Sequence, residues 1–155
     1  MSNSNKGLIL IMLTIALTLV GCNRKTVFSH YEHVELDGWE QADTLFFKIA
    51  GIPAGTYEEE LGIRNSVEYP YMQLTVVAYQ QSVSGMQRTD TLEVDMANRA
   101  GKLTGTGISR YYHALPLGQV TLCDSDTLYV RVHHYMINND LPGISDIGVT
   151  LKKLK

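Results

Sequence analysis

Cysteine is nearly absent from this chain: two residues in 155, Cys22 and Cys123. Two cysteines cannot build a disulfide framework. No apolar run is long enough to cross a bilayer. The longest, Leu8 to Val20, holds about 13 residues and is interrupted by Thr14 and Thr18. Basic excess is lacking too, with 13 Lys and Arg against 16 Asp and Glu and no basic stripe, which excludes a nucleic-acid surface. No stretch keeps a helical period for more than two turns. Recognisable catalytic motifs are also missing. There is no Gly-x-Ser-x-Gly elbow and no Cys-His arrangement. Gly101-Lys102-Leu103-Thr104-Gly105-Thr106-Gly107 fits neither the phosphate-loop nor the dinucleotide spacing and reads as a glycine-rich β-loop.

What is present begins at the N-terminus. Lys6 precedes the apolar run, and the run stops at Leu19-Val20-Gly21-Cys22. A short cationic segment, an apolar core and a small residue before cysteine are the signature of a bacterial lipoprotein signal peptide. Residues 1–21 are therefore read as signal, with cleavage between Gly21 and Cys22. Cys22 is the lipidation site, and its acyl chains anchor the protein at about 0.8 kcal/mol per buried CH₂. The signal contains one of the basic residues and none of the acidic ones, so its loss moves the formal charge from −3 to −4. Residues 22–29 read as a tether, roughly 25 Å when extended. Asn23-Arg24-Lys25 brings no acidic run after the cysteine. That favours a domain on the periplasmic face of the outer membrane over one exported to the cell surface.

Residues 30–155 carry period-two alternation. Leu45, Phe47 and Ile49 share one face, as do Leu74, Val76 and Ala78, then Leu92, Val94 and Met96, then Leu128, Val130, Val132 and Met136, then Ile147, Val149 and Leu151. Turn residues separate the runs at 51–55, 84–85, 101–107 and 142–143. The pattern predicts half-buried antiparallel strands in a single all-β sandwich, immunoglobulin-like or jelly-roll-like. Asp-Thr-Leu recurs at Asp43, Asp90 and Asp126 and reads as repeated turn chemistry opening a strand. Glu58-Glu59-Glu60 interrupts the alternation and reads as a solvated strand edge. Cys123, left alone once Cys22 is acylated, reads as a buried inert thiol. His133 and His134 are adjacent in a strand and point to opposite faces. They cannot share a metal, and no metal or cofactor is expected.

Some segments need more than composition to explain them. Gly38-Trp39 comes first, then Arg64-Asn65 with Tyr69-Pro70-Tyr71, then the 101–107 glycines, then Leu141-Pro142-Gly143-Ile144-Ser145-Asp146-Ile147-Gly148. In this order, behind a lipobox, the chain resembles the gliding motility lipoprotein GldH family of Bacteroidetes. The resemblance implies an accessory, non-catalytic envelope lipoprotein associated with gliding and type IX secretion. It would act by protein–protein contact with that machinery. Two positions depart from the family pattern: Leu103 stands where Trp is expected, and Met136-Ile137 where Met-Arg is expected. The candidate partner surface comprises Arg64, Asn65, Tyr69, Tyr71, Asn139 and Asp140. The alternative for the Arg64–Tyr71 stretch is a purely structural corner. A rival function is a carbohydrate- or peptidoglycan-binding sandwich, which requires Tyr69, Tyr71, Tyr111 and Tyr112 to gather on one face.

Overall fold

A computed structural model describes residues 26–154. The expected signal and the lipidation site, Gly21 and Cys22 included, lie outside the described residues. The fold is all-β and antiparallel. The strands are β1 (Thr26–His33), β2 (Trp39–Glu40), β3 (Leu45–Ala50), β4 (Gly55–Ser66), β5 (Gln73–Ser82), β6 (Gln87–Asp95), β7 (Thr106–Gly107), β8 (Arg110–Leu122), β9 (Thr127–His134), β10 (Asp140–Leu141) and β11 (Ile144–Lys153). One sheet has the order β1-β11-β4-β8-β7, the other β3-β9-β5-β6, and β2 pairs with β10.

The alternation is what builds the sandwich. Phe47, Ile49, Leu74, Val76, Ala78, Leu128, Val130 and Val132 from one sheet meet Tyr57, Leu61, Ile63, Ile147, Val149 and Leu151 from the other in a single buried core. At about 25 cal/mol per Å² of apolar surface, this burial is the main term favouring the fold. His134 continues the inward face of β9. It is fully buried and hydrogen-bonds through Nε2 to the Trp39 carbonyl at 2.9 Å.

Four expectations change. The tether ends sooner, because Thr26–Ser29 are part of β1 and pair with β11. The stretch escaped notice because β1 is an edge strand with mostly exposed side chains. Cys123 is exposed, since Leu122 takes the inward position and the next residue starts a turn. Asp90 lies inside β6 rather than opening it. Of the three Asp-Thr-Leu segments, Asp126 supplies a side-chain cap, accepting hydrogen bonds from Ser84 N, Ser84 Oγ and Thr127 N.

The fourth change concerns the acidic triplet. β4 is not an edge; it lies between β11 and β8. Glu58 is exposed and Glu60 half-buried, while Glu59 is 1 % exposed and faces the space between the sheets. Arg88 on β6 reaches across to it, donating from Nη2 to Glu59 Oε2 at 3.1 Å. The same guanidinium binds Asp90 Oδ2, Gln80 Oε1 and the Gln119 carbonyl at 2.9, 2.6 and 3.1 Å. A buried carboxylate is tolerable when paired this way, and its partner lies 29 residues on, in the opposite sheet.

Two glycines shape the outer face of the five-stranded sheet. Gly62 and Gly148 are direct cross-strand partners. A Cβ on either would come within 2.3 Å of the Tyr31 side chain, which lies over both. Arg64 covers the other side of that ring, its Cζ 4.2 Å from the centroid.

Two predictions follow from these contacts. Gly148→Ala should lower stability by about 2 kcal/mol through overpacking against Tyr31, measurable by urea denaturation. The second concerns Glu59, whose pKa is pushed up from 4.5 to about 7, chiefly by burial, with Arg88 pulling it down and Asp90 adding to the rise. Between those values the folded state keeps a proton that the unfolded chain releases, so this residue's contribution declines as pH rises. Burial holds His113 and His134 below 6.5, which acts with the opposite sign. The difference between Glu59→Gln and wild type at each pH therefore isolates Glu59. Relative to wild type, the variant should gain up to about 3 kcal/mol from pH 4.5 to 7.5. A constant difference would show that Glu59 does not titrate in this range.

Candidate partner-docking surface

The segments singled out in the sequence converge at one end of the sandwich. β4 ends in Asn65-Ser66, and the register pairs Asn65 with Ile144 of β11. Ser66 donates its N–H to the Gly143 carbonyl at 2.8 Å. Gly143 has φ +85°, and a Cβ there would lie 2.7 Å from Tyr69 Cα. Only glycine allows that backbone approach. Tyr69 is 5 % exposed and donates its hydroxyl to the Gln73 carbonyl at 3.0 Å. Its phenol pKa is raised by burial and by Tyr71. The Tyr71 ring meets Tyr69 edge-on at 5.7 Å, and Asn138 Nδ2 donates to the Tyr71 hydroxyl. On the far side Trp39 pairs with Leu141, and Gly38 leaves room for the Asp140 carboxylate.

This architecture divides the expected partner surface. Asn65 is fully buried, with Nδ2 bonded to the Ser66 carbonyl and Oδ1 without a partner. Together with the buried Tyr69 it belongs to the corner, not to a contact surface. Arg64 points the opposite way, onto Tyr31, because neighbours in a strand alternate. Asn139 and Asp140 are exposed, as expected, and Tyr71 is half-buried beside them.

Three apolar residues at this end are exposed. Met72 is 51 % exposed, Tyr135 67 % and Ile137 fully exposed. Tyr135 and Ile137 line an open hollow of about 370 Å³ with Tyr71, Thr75, Met136 and Asn138. Met72 lines a second hollow of about 470 Å³ beside Asp95, Ala97 and Asn98. The only available hint was Ile137, which departs from the expected arginine. Exposed apolar side chains grouped this way mark interaction sites more often than scattered ones do.

The tyrosine platform required by a carbohydrate-binding surface is not assembled. Tyr69 is buried, and Tyr71 packs against it. Tyr111 and Tyr112 take opposite faces of β8, pairing with Asn65 and Arg64 respectively. Tyr112 donates to Glu60 Oε1 at 3.0 Å. Phe46 and Tyr79, also exposed, lie on the outer face of the four-stranded sheet and stack on neighbours, Phe46 on Tyr129 and Tyr79 on His133. Among the described residues no group of three or more His, Cys, Asp or Glu could hold a metal.

Comparison with known proteins agrees with the sequence resemblance. The chain is 30 % identical over 100 residues to the gliding motility lipoprotein GldH of Flavobacterium johnsoniae, covering 64 % of this chain and 62 % of that one. It is 24 % identical over 158 aligned positions to the GldH homolog of Christiangramia forsetii, covering 94 % of both. Among solved structures, a domain of a GH115 4-O-methyl-α-glucuronidase is similar at TM-score 0.48 and 10 % identity, over 86 % of this chain and 18 % of that one. The GldH lipoprotein model matches residues 26–151, almost the whole sandwich; the chain belongs to the GldH lipoprotein family.

Proposed function

We propose that this protein is a non-catalytic component of the gliding and type IX secretion-associated envelope machinery. It is held in the outer membrane by acyl chains on Cys22, with its domain facing the periplasm. It works by protein–protein contact through the end of the sandwich that carries Met72, Tyr135, Ile137, Asn139 and Asp140. The observation supporting this reading most directly is the exposed pair Tyr135 and Ile137 lining one hollow, at the same end of the sandwich as the Tyr69–Gly143 corner. Apolar anchors with a polar rim on a fixed scaffold suit recognition of a protein surface. The two relatives bear the name gliding motility lipoprotein, and neither name describes an enzyme.

Anchoring and orientation are tested together. Cys22→Ser should abolish processing at Gly21–Cys22 or release the protein from the outer-membrane fraction. In intact cells the wild-type domain should resist added protease until the outer membrane is permeabilised. Retention of a processed Cys22→Ser protein in the outer membrane would refute the lipid anchor, and digestion in intact cells would refute the orientation.

The contact surface is tested by separating it from its scaffold. Ile137→Glu, Asn139→Ala and Asp140→Ala alter exposed side chains and should shift stability by less than about 0.5 kcal/mol each. Together they should sharply reduce in-cell crosslinking to envelope proteins. Gly143→Ala, forced into a left-handed conformation against Tyr69, should cost at least about 2 kcal/mol. Undiminished crosslinking by the stable triple variant would rule out this end as the contact surface.

A further inference from the structure

Strands β3, β5 and β9 of the four-stranded sheet contain no Asp or Glu, in a chain that holds 16. Their Lys and Arg are Lys48 and Arg131, both exposed on the outer face. Among the described residues neither forms an ion pair. Arg131 stands opposite Phe46 on one side and Tyr79 on the other, and Lys48 stands opposite Tyr129. Phe46 stacks on Tyr129 and Tyr79 on His133, with ring centroids 5.7 and 5.6 Å apart. The Arg131 guanidinium lies over Tyr79, 5.9 Å from the ring centroid. Open hollows flank this pair. One, of about 330 Å³, is lined by Thr44, Tyr79, Arg131 and His133. The other, of about 260 Å³, adds Gln81 and Thr89 to Tyr79 and Arg131. Glu93 and Asp95 face outward on β6, two strands from β9 and about 10 Å away, and Asp95 is engaged by Gln73.

We infer that this face receives an acidic, extended segment of a partner protein, with carboxylates on alternate residues bound by Arg131 and Lys48. The inference rests on the reading that the protein works by protein–protein contact, and it adds the chemistry of the partner. Composition favours a protein occupant, because Arg, Tyr and Phe are enriched in such interfaces while Glu and Asp are depleted. A sugar chain would stack on open ring faces, whereas here Tyr129 lies against Phe46, and Tyr79 against His133 and Arg131. Charge selects an acidic segment. Lys48 and Arg131 are diagonal neighbours across β3 and β9, about 7–8 Å apart. Alternate residues of an extended chain are separated by about 6.6 Å, close to that spacing. A guanidinium takes a carboxylate through two parallel hydrogen bonds, and Arg131 has no ion pair to give up. The face also runs into the docking end. Tyr129, Arg131 and His133 point outward from β9, and the row continues to Tyr135, which lines one hollow with Ile137. Tyr129 to Tyr135 spans about 20 Å, so one extended segment covers both.

Gln81 is exposed and stands opposite Tyr129 on this face, which makes it a site for a photocrosslinker. The full-length lipoprotein is expressed in its native host with Gln81→p-benzoylphenylalanine on this face or Ile137→p-benzoylphenylalanine at the docking end. Attached peptides are identified by mass spectrometry. The expected result is that both positions attach to the same protein, and that the peptide attached at 81 carries Asp or Glu on alternate residues. Arg131→Glu with Lys48→Glu should cut the adduct at 81 at least about tenfold, since like charges then face one another. Arg131→Gln with Lys48→Gln should cut it less. All four substitutions alter exposed side chains, so both double variants should keep the wild-type urea midpoint. An adduct at 81 holding a sugar in place of a peptide, a peptide without acidic residues, or a yield unmoved by charge reversal would overturn the inference. Adducts at 137 with none at 81 would also overturn it and leave the docking end standing. Acidic adducts at 81 with none at 137 would uphold this face and overturn the docking end. Absence of protein adducts at both positions would overturn both readings.

Discussion

The facing pair of glycines at Gly62 and Gly148 is the constraint on which the arrangement of the domain turns. Strand interiors usually avoid glycine, which lacks a side chain to pack and costs backbone entropy. Here two of them, directly opposed in the centre of the larger sheet, leave a floor on which Tyr31 can lie. Arg64 then closes over the ring, a contact of the kind that adds about 0.5–2 kcal/mol. The outcome is that β1, an edge strand with little apolar surface of its own, is fixed to the sheet from its outer side. β1 follows directly on the segment proposed to carry the anchor, so this packing also sets where the chain enters the domain.

The interior adds a second constraint of a different sort. The sheets are held mainly by apolar contact, which is non-directional, but Arg88 joins Glu59 to Asp90, Gln80 and the Gln119 carbonyl with directional bonds. Such a network sets the relative position of β6 and β4 where their side chains alone would permit sliding. Its energetic return is limited, since a buried pair must offset its own desolvation. The same guanidinium also ties β6 to the Gln119 carbonyl of β8 in the opposite sheet.

Much of this was legible in the alternation of apolar residues. The inward faces of β3, β5, β9 and β11 follow from period two alone, as does the opposition of His133 and His134. The features that stayed hidden are those decided by a partner distant in sequence. Nothing near Glu59 announces Arg88, so the acidic triplet looked like an edge. Tyr31 sits in a strand of exposed residues, and only the two glycines in other strands give it a place. Cys123 was misplaced for a local reason, because an apolar run was extended by one residue past its inward-facing Leu122. For the candidate surface, the exposed loop Asn139-Asp140 was readable, whereas Asn65 and Tyr69 were not. A polar amide and a phenol look like surface groups until a carbonyl is found for each to bond.

That last point changes what the family motifs describe. Gly38 against Asp140, Trp39 beside Leu141, and Tyr69 against Gly143 are contacts within one corner, and each needs a residue type that backbone proximity or burial dictates. These residues therefore build the scaffold of this end of the sandwich. Under the proposed function, recognition would fall to side chains that the corner carries but does not require. Ile137, fully exposed where the family pattern leads one to expect arginine, is of that kind. An apolar side chain there exchanges a charge for surface that gains from being covered, while leaving Gly143 and Tyr69 untouched. The exposed rim side chains can therefore be exchanged without disturbing the packing of the corner.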